Sequence, residues 1–155
     1  MNRFVATALV CTAALVTSPL LAQSAVATKD QAAAAQFAQS AAMRALNFEQ
    51  GNLQSLLDAR DDFTLDGWNS YTKHMEGYLD AKGVPQFSQT FVPFGDAMVI
   101  DEKGGIVHLA IRGKLKQTHD SSSTTYEHVE IDIRVGGAPI KIQHLEPTIV
   151  LRRSK

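Results

Sequence analysis

The sequence predicts an α+β domain: three N-terminal helices packed on one face of a curved antiparallel sheet of about four meander strands. Three observations carry this. From Asp30 to Leu79 apolar residues recur at helical spacing. From Val84 onward the period changes to two. The strand-rich half is also punctuated by two turn signals, Gly104-Gly105 and Gly136-Gly137.

Residues 1–27 are set apart from the fold as an export segment. Arg3 is a minimal positive head, Phe4 to Val16 is uncharged and apolar, and Thr17-Ser18-Pro19 breaks the run. Small-residue cleavage sites follow at Ala22 and at Ala25-Val26-Ala27. The rival reading is an uncleaved anchor, since Phe4 to Ala22 carries no charge over a length close to the roughly 20 residues a bilayer needs. Three Thr, a Ser and a Pro make it a poor span, so cleavage is the preferred reading. Residues 28–155 are then one periplasmic domain.

The chain's single Cys, Cys11, lies in that segment, with Ala8 where a lipoprotein signal carries Leu, so lipidation is not expected. A thiol-free mature chain has no disulfide, thiol nucleophile or thiolate zinc site. With 15 basic and 16 acidic residues the charge is −1, and loss of Arg3 takes it to −2. That leaves no basic field for a nucleic-acid backbone. At 45% hydrophobic and 20% charged residues the chain is of globular rather than disordered composition.

The first helix is expected to start at Asp30 as N-cap and to run to Leu46, its Ala-rich faces allowing close packing. Gly51-Asn52 interrupts the pattern, and a short helix from Leu53 to Arg60 offers Leu53, Leu56 and Leu57 to a core. Thr64 is the N-cap of the third helix, with Phe63 before it placed to staple onto Trp68. Leu65, Trp68, Tyr71, Met75 and Leu79 continue at helical spacing until Gly83 and Pro85 end it.

Phe87 to Phe94 reads as an extended edge. Ala97–Lys103 and Ile106–Thr118 flank Gly104-Gly105 as a hairpin. With Lys103 opposite Ile106, Asp101 faces His108, Ile100 faces Leu109 and Met98 faces Ile111. After a Ser-rich loop from Asp120 to Thr124, a register with Lys114 opposite Glu130 sets Arg112 opposite Asp132 and Lys116 opposite His128. Two opposite-charge pairs from one register favour it, at about 0.2–1 kcal/mol each. The Gly136–Pro139 turn then pairs Val135 with Ile140 and Ile133 with Ile142.

The alternation gives two unlike faces. Val107, Leu109, Ile111, Leu115, Val129, Ile131, Ile133 and Val135 form the apolar one. His108, Arg112, Lys114, Lys116, Tyr126, His128, Glu130, Asp132 and Arg134 form the polar one, which is the candidate interaction face. His144 continues the apolar phase of Ile140 and Ile142, with Leu145 competing for the inward position and suggesting a bulge.

Little here proposes chemistry. An Asp101–His108 pair on an open sheet face has no nucleophile beside it, no spacing proposes a metal site, and the Gly pairs are hairpin turns rather than phosphate loops. No catalytic residue, cofactor or metal is assigned. Arg152, Arg153 and Lys155 read as a solubilising tail.

Element order resembles the nuclear-transport-factor-2-like fold. More narrowly, the run from Ala41 to Leu79, with Phe48, Asn52 and the block Phe63-Thr64-Leu65-Asp66-Gly67-Trp68, resembles the DotI/IcmL family of inner-membrane components of type IVB secretion and conjugation machines. The F-T-x-x-G-W block joins cap, staple and core anchor at fixed spacing. Two departures stand out. The family's Trp in the second meander strand, with Pro five residues on, is replaced by His108 and Gly113. Only Met1-Asn2-Arg3 precede the apolar run, where the family keeps a cytoplasmic tail and an uncleaved span, which fits a shortened, secreted relative.

The resemblance implies a non-enzymatic periplasmic scaffold of a type IV secretion or conjugation system. Its partners would be other subunits and itself as a homo-oligomer, with membrane contact only through an uncleaved N-terminus. The alternative is a small-molecule binder or enzyme with a cavity between helices and sheet, lined by Trp68, Tyr71, Phe91 and His144.

Overall fold

The computed structural model describes residues 28–150. Helix α1 spans Lys29–Leu46, α2 Leu53–Leu57 and α3 Leu65–Met75. The strands are β1 Ser88–Pro93, β2 Met98–Lys103, β3 Ile106–His119, β4 Ser122–Gly136 and β5 Lys141–Ile149. They form one open antiparallel sheet of five strands, so the expected meander gains β1 as an edge. The fold is the α+β arrangement the sequence predicts. The export segment and the basic tail lie outside the described residues.

The cap of α1 is Thr28 rather than Asp30. Thr28 Oγ1 accepts from the Gln31 amide at 3.2 Å and the Gln31 side chain accepts from the Thr28 amide at 3.1 Å, which closes a capping box. Asp30 sits within the first turn, where its charge favours the helix N-terminus. Ala34, Ala38, Ala41, Ala42, Ala45 and Leu46 are buried, and the small side chains bring the α1 backbone close to the sheet.

The second helix is shorter than expected. It ends at Leu57 and gives way to a single 3-10 turn at Arg60–Asp62, with Leu56 buried and Leu53 exposed. Helix α3 stops at Met75, so Leu79 lies beyond it and pairs with Pro85 in an isolated bridge. Leu65 is 70% exposed, whereas Tyr71 and Met75 carry the buried stripe.

The Phe63–Trp68 block forms a joint to the sheet. Thr64 caps α3 by accepting from the Gly67 amide at 3.1 Å, and the Thr64 amide donates to the Ile142 carbonyl at 2.9 Å. Phe63 thereby pairs in parallel with Ile142 of β5. A Cβ at Gly67 would lie 2.5 Å from the Ile142 carbonyl oxygen, so only glycine lets the first turn of α3 sit this close to the strand. The Phe63 ring meets Trp68 edge-on at 5.4 Å and stacks on Tyr71 at 5.2 Å. The staple therefore extends one turn further than its minimal form.

β3 is the spine. β2 pairs along its first half and β1 along its second, so two short strands share one edge. Bulges correct the expected registers. Asp101 does face His108, but Ile100 is then skipped, so Val99 opposes Leu109 and Met98 opposes Ala110. Between β3 and β4, Arg112 opposes Glu130, Ala110 opposes Asp132 and Lys116 opposes Thr125, because the turn is tighter than expected and a bulge falls between Gly113 and Leu115. That bulge also turns Tyr126 to the apolar side, opposite Leu115. In β5, Val135 pairs with Ile142 and Ile133 with Leu145 across a further bulge.

The core lies between the helices and the inner face of the sheet. Leu109, Ile111, Ile131, Ile133, Val135 and Ile142 there are fully buried. At roughly 1.5–3 kcal/mol for each large side chain withdrawn from water, this face dominates the fold's stabilisation.

Candidate functional site

Of the predicted cavity residues, Trp68 and Tyr71 pack together with ring centroids 5.7 Å apart, while His144 lies on the other face of the sheet. Tyr71 and Phe91 are each 1% exposed and packed in the core. Tyr71 donates its hydroxyl to the Ala45 carbonyl at 2.5 Å, and burial pushes its phenol well above the usual tyrosine range. Phe91 fills the space that a side chain at position 113 would take: a Cβ at Gly113 would come within 2.6 Å of the ring. Trp68 is half-buried beside Phe63. His144 stands on the opposite side of the sheet from all three, because the β5 bulge gives Leu145 the inward position.

The outer face of β3, β4 and β5 does bring polar residues together. His108 Nε2 donates to Asp132 Oδ2 at 2.7 Å, while its Nδ1 lies 3.7 Å from Asp101. The sequence reading paired His108 with Asp101, and the nearer partner is Asp132. Arg134 opposes both His108 on β3 and His144 on β5. One row on, Arg112 Nε donates to Glu130 at 2.9 Å. Both partners are substantially exposed, so the pair contributes at most about 1 kcal/mol to folding and remains available to another surface.

Lys114 and Lys116 continue the face along β1, opposite Val92 and Thr90. His128 lines a shallow groove of about 380 Å³ with Phe94, Arg112, Glu130 and Val150. Phe94 and Val150 are exposed apolar side chains at its rim. The groove thus mixes apolar side chains with ions of both signs.

One residue of this face, Glu146, has no place in the sequence reading, and His144, expected to line an inner cavity, belongs to it instead. Glu146 opposes Asp132, and His144 Nε2 lies 3.4 Å from the Glu146 carboxylate. The signal was present as the i, i+2 pair His144 and Glu146, but it needed the β5 bulge to be placed.

No family model matches the sequence, and no curated protein matches it. Two solved structures share its fold. An IcmL-like type IV secretion system protein from Legionella pneumophila subsp. pneumophila str. Philadelphia 1 superposes with a TM-score of 0.67 at 14% identity, over 83% of this chain and 99% of that one. The periplasmic domain of DotI superposes with a TM-score of 0.64 at 14% identity, over 82% of this chain and 99% of that one. At such identity the likeness is one of fold.

Proposed function

We propose that this chain is a DotI/IcmL-type periplasmic component of a type IV secretion or conjugation system that works without catalysis, by protein contacts. The observation that carries the reading is the double role of the Phe63–Trp68 block. The same six residues that resemble the family in sequence build the α3–β5 joint of a fold shared with an IcmL-like protein and with DotI. Residues 1–27 deliver the domain to the periplasm as a signal, or hold it at the inner membrane if uncut.

The contact surface in this reading is the outer face of the sheet: His108, Arg112, Lys114, Lys116, His128, Glu130, Asp132 and Arg134. Charges of both signs set register and exclude wrong partners more than they add affinity. Its occupants are other secretion subunits and a second copy of the chain. The sealed positions of Tyr71 and Phe91, and the outward His144, lend no support to a ligand cavity between helices and sheet.

The test is co-purification from the native envelope. Wild-type chain should bring down secretion-system subunits, and Arg112→Glu with Arg134→Glu should lose them while the circular dichroism spectrum is unchanged. Equal recovery by the double variant would remove the outer face from the reading.

A further inference from the structure

We infer that the free edge of β4 over residues 122–126 pairs antiparallel with the same edge of a second copy of this chain. The β3–β4 hairpin outruns β5. β3 and β4 pair in unbroken register from Leu115 opposite Tyr126 to His119 opposite Ser122, whereas β5 reaches only to Ile149 opposite Val129. One further bond, from the Val150 amide to the His128 carbonyl, ends that contact. The register shift beside Gly113 sets Glu127 and His128 against the single residue Lys114, and this bulge bends β4 out of line with β5. Ser122 to Tyr126 therefore keep one side of their backbone unpaired among the described residues.

The other edges of the sheet are treated differently. An unpaired edge is a template for another strand, and chains blunt it with Pro, bulges, charges or a covering segment. β1 is covered by residues 47–50. Phe48 and Gln89 exchange backbone bonds at 2.8 and 3.1 Å, and Asn47 Oδ1 accepts from the Phe91 amide at 2.6 Å. β2 is interrupted by the bulge at Ile100 and ends in Asp101-Glu102-Lys103. β5 carries Pro147, a bulge at Gln143 and the bridge from Phe63 to Ile142. The run Ser122-Ser123-Thr124-Thr125-Tyr126 has no Pro, no charge and no break in register.

A second copy fits this edge by its chemistry. Two such strands related by a two-fold axis at Thr124 set Thr124 opposite Thr124, Ser123 opposite Thr125 and Ser122 opposite Tyr126. Thr and Ser are favourable cross-strand partners, and no pair brings like charges together. Lys116, the nearest cation on the adjoining strand, stands opposite Thr125 on β3. Three strand spacings of about 4.8 Å part the two β3 strands, so the two lysines lie roughly 14 Å or more apart, beyond the screening length of about 8 Å. The chain's own last residues suit the edge less well, because Arg152, Arg153 and Lys155 would bring cations beside Lys114 and Lys116. The two-fold pairing is self-complementary and leaves both outer faces on one side of the joined sheet. So short a contact belongs to the weak class of interfaces, below about 1,200 Å², and the dimer forms as concentration rises.

The inference does not rest on docking at the outer face and is tested separately. Sedimentation velocity of the full chain from about 1 μM to about 1 mM should show wild type passing from monomer to dimer. Thr124→Lys and Thr124→Asp each set like charges on the two-fold axis and should weaken the dimer at least about fivefold. An equal mixture of the two variants should restore it, a recovery that a misfolded hairpin could not give. Two controls should dimerise as wild type does: Arg112→Glu with Arg134→Glu, and a chain ending at Val150. A wild type that stays monomeric, a dimer indifferent to charge at position 124, a mixture that fails to recover, or loss of the dimer in either control overturns the inference.

Discussion

The two faces of β4 divide the protein's work at single-residue spacing. Ile131 and Ile133 are fully buried under the helices, while Glu130, Asp132 and Arg134 between and beside them face away from the core. The inner face is apolar, contiguous and closed by α1 and α3. The outer face is polar, partly ion-paired and covered by no element of the described chain. In the proposed reading, stability and recognition are carried by alternate residues of the same strands, so that each can be altered without the other.

Substitutions on the inner face sharpen this contrast most. Ile131→Ala should cost about 2–5 kcal/mol, since it removes a fully buried side chain and leaves a cavity. Urea denaturation would measure it. Glu130→Ala, one residue away, should stay within about 1 kcal/mol in the same experiment. Comparable losses at the two positions would break the comparison.

Next in size is the α3–β5 joint. Gly67→Ala forces a methyl group onto the Ile142 carbonyl, and overpacking of this kind costs about 1–3 kcal/mol. The quenching of Trp68 fluorescence by its neighbours should change with it, because the indole packs on Phe63 across the same joint. A fully wild-type melting curve and emission spectrum would contradict the close approach.

Tyr71→Phe is smaller and has a pH signature. Loss of the bond to the Ala45 carbonyl costs about 1 kcal/mol at neutral pH. Burial raises the Tyr71 phenol above its ordinary value of 10.0, so the unfolded chain loses this proton first as pH rises. Stability from this group is complete below about pH 10 and falls above it. The variant should lack that part of the alkaline decline in a melting series from pH 8 to 11, a range set by the ordinary phenol pKa of about 10. A decline equal to wild type would assign it to other groups.

The smallest stability change belongs to Arg112→Ala, at about 0.5 kcal/mol or less, since its pair with Glu130 is exposed. Its effect on partner recovery should be the larger one. Salt should mimic it, because exposed charges beyond about 10 Å are screened at 0.1 M ionic strength.

Much of this contrast can be read from the amino acids. The apolar and polar phases of β3 and β4 follow from alternation alone, and the Thr64 cap with its Phe63 staple follows from local chemistry. Registers do not. A shift of two residues keeps every side chain on its face, and Glu130 and Asp132 are both acidic, so Arg112 finds an opposite charge in either alignment. Alternation and charge pairing therefore could not separate the observed register from the expected one. Bulges are only partly legible: the competition between His144 and Leu145 signals the one in β5, whereas no residue pattern signals the one beside Gly113. The bulge in β5 sent His144 outward, and the one beside Gly113 sent Tyr126 inward. The outer cluster of Asp132, His144 and Glu146 depended on the β5 bulge and was only half legible.

The claim that the outer face docks partners is tested most directly by photo-crosslinking in the native envelope. A photoreactive residue would replace Arg112 or Lys116 on that face, or Gln36 on the exposed side of α1. The account predicts discrete adducts with secretion-system subunits or a second copy from positions 112 and 116, lost when Glu130 and Arg134 are charge-reversed. Adducts from position 36 alone, or none from 112 and 116, would contradict it.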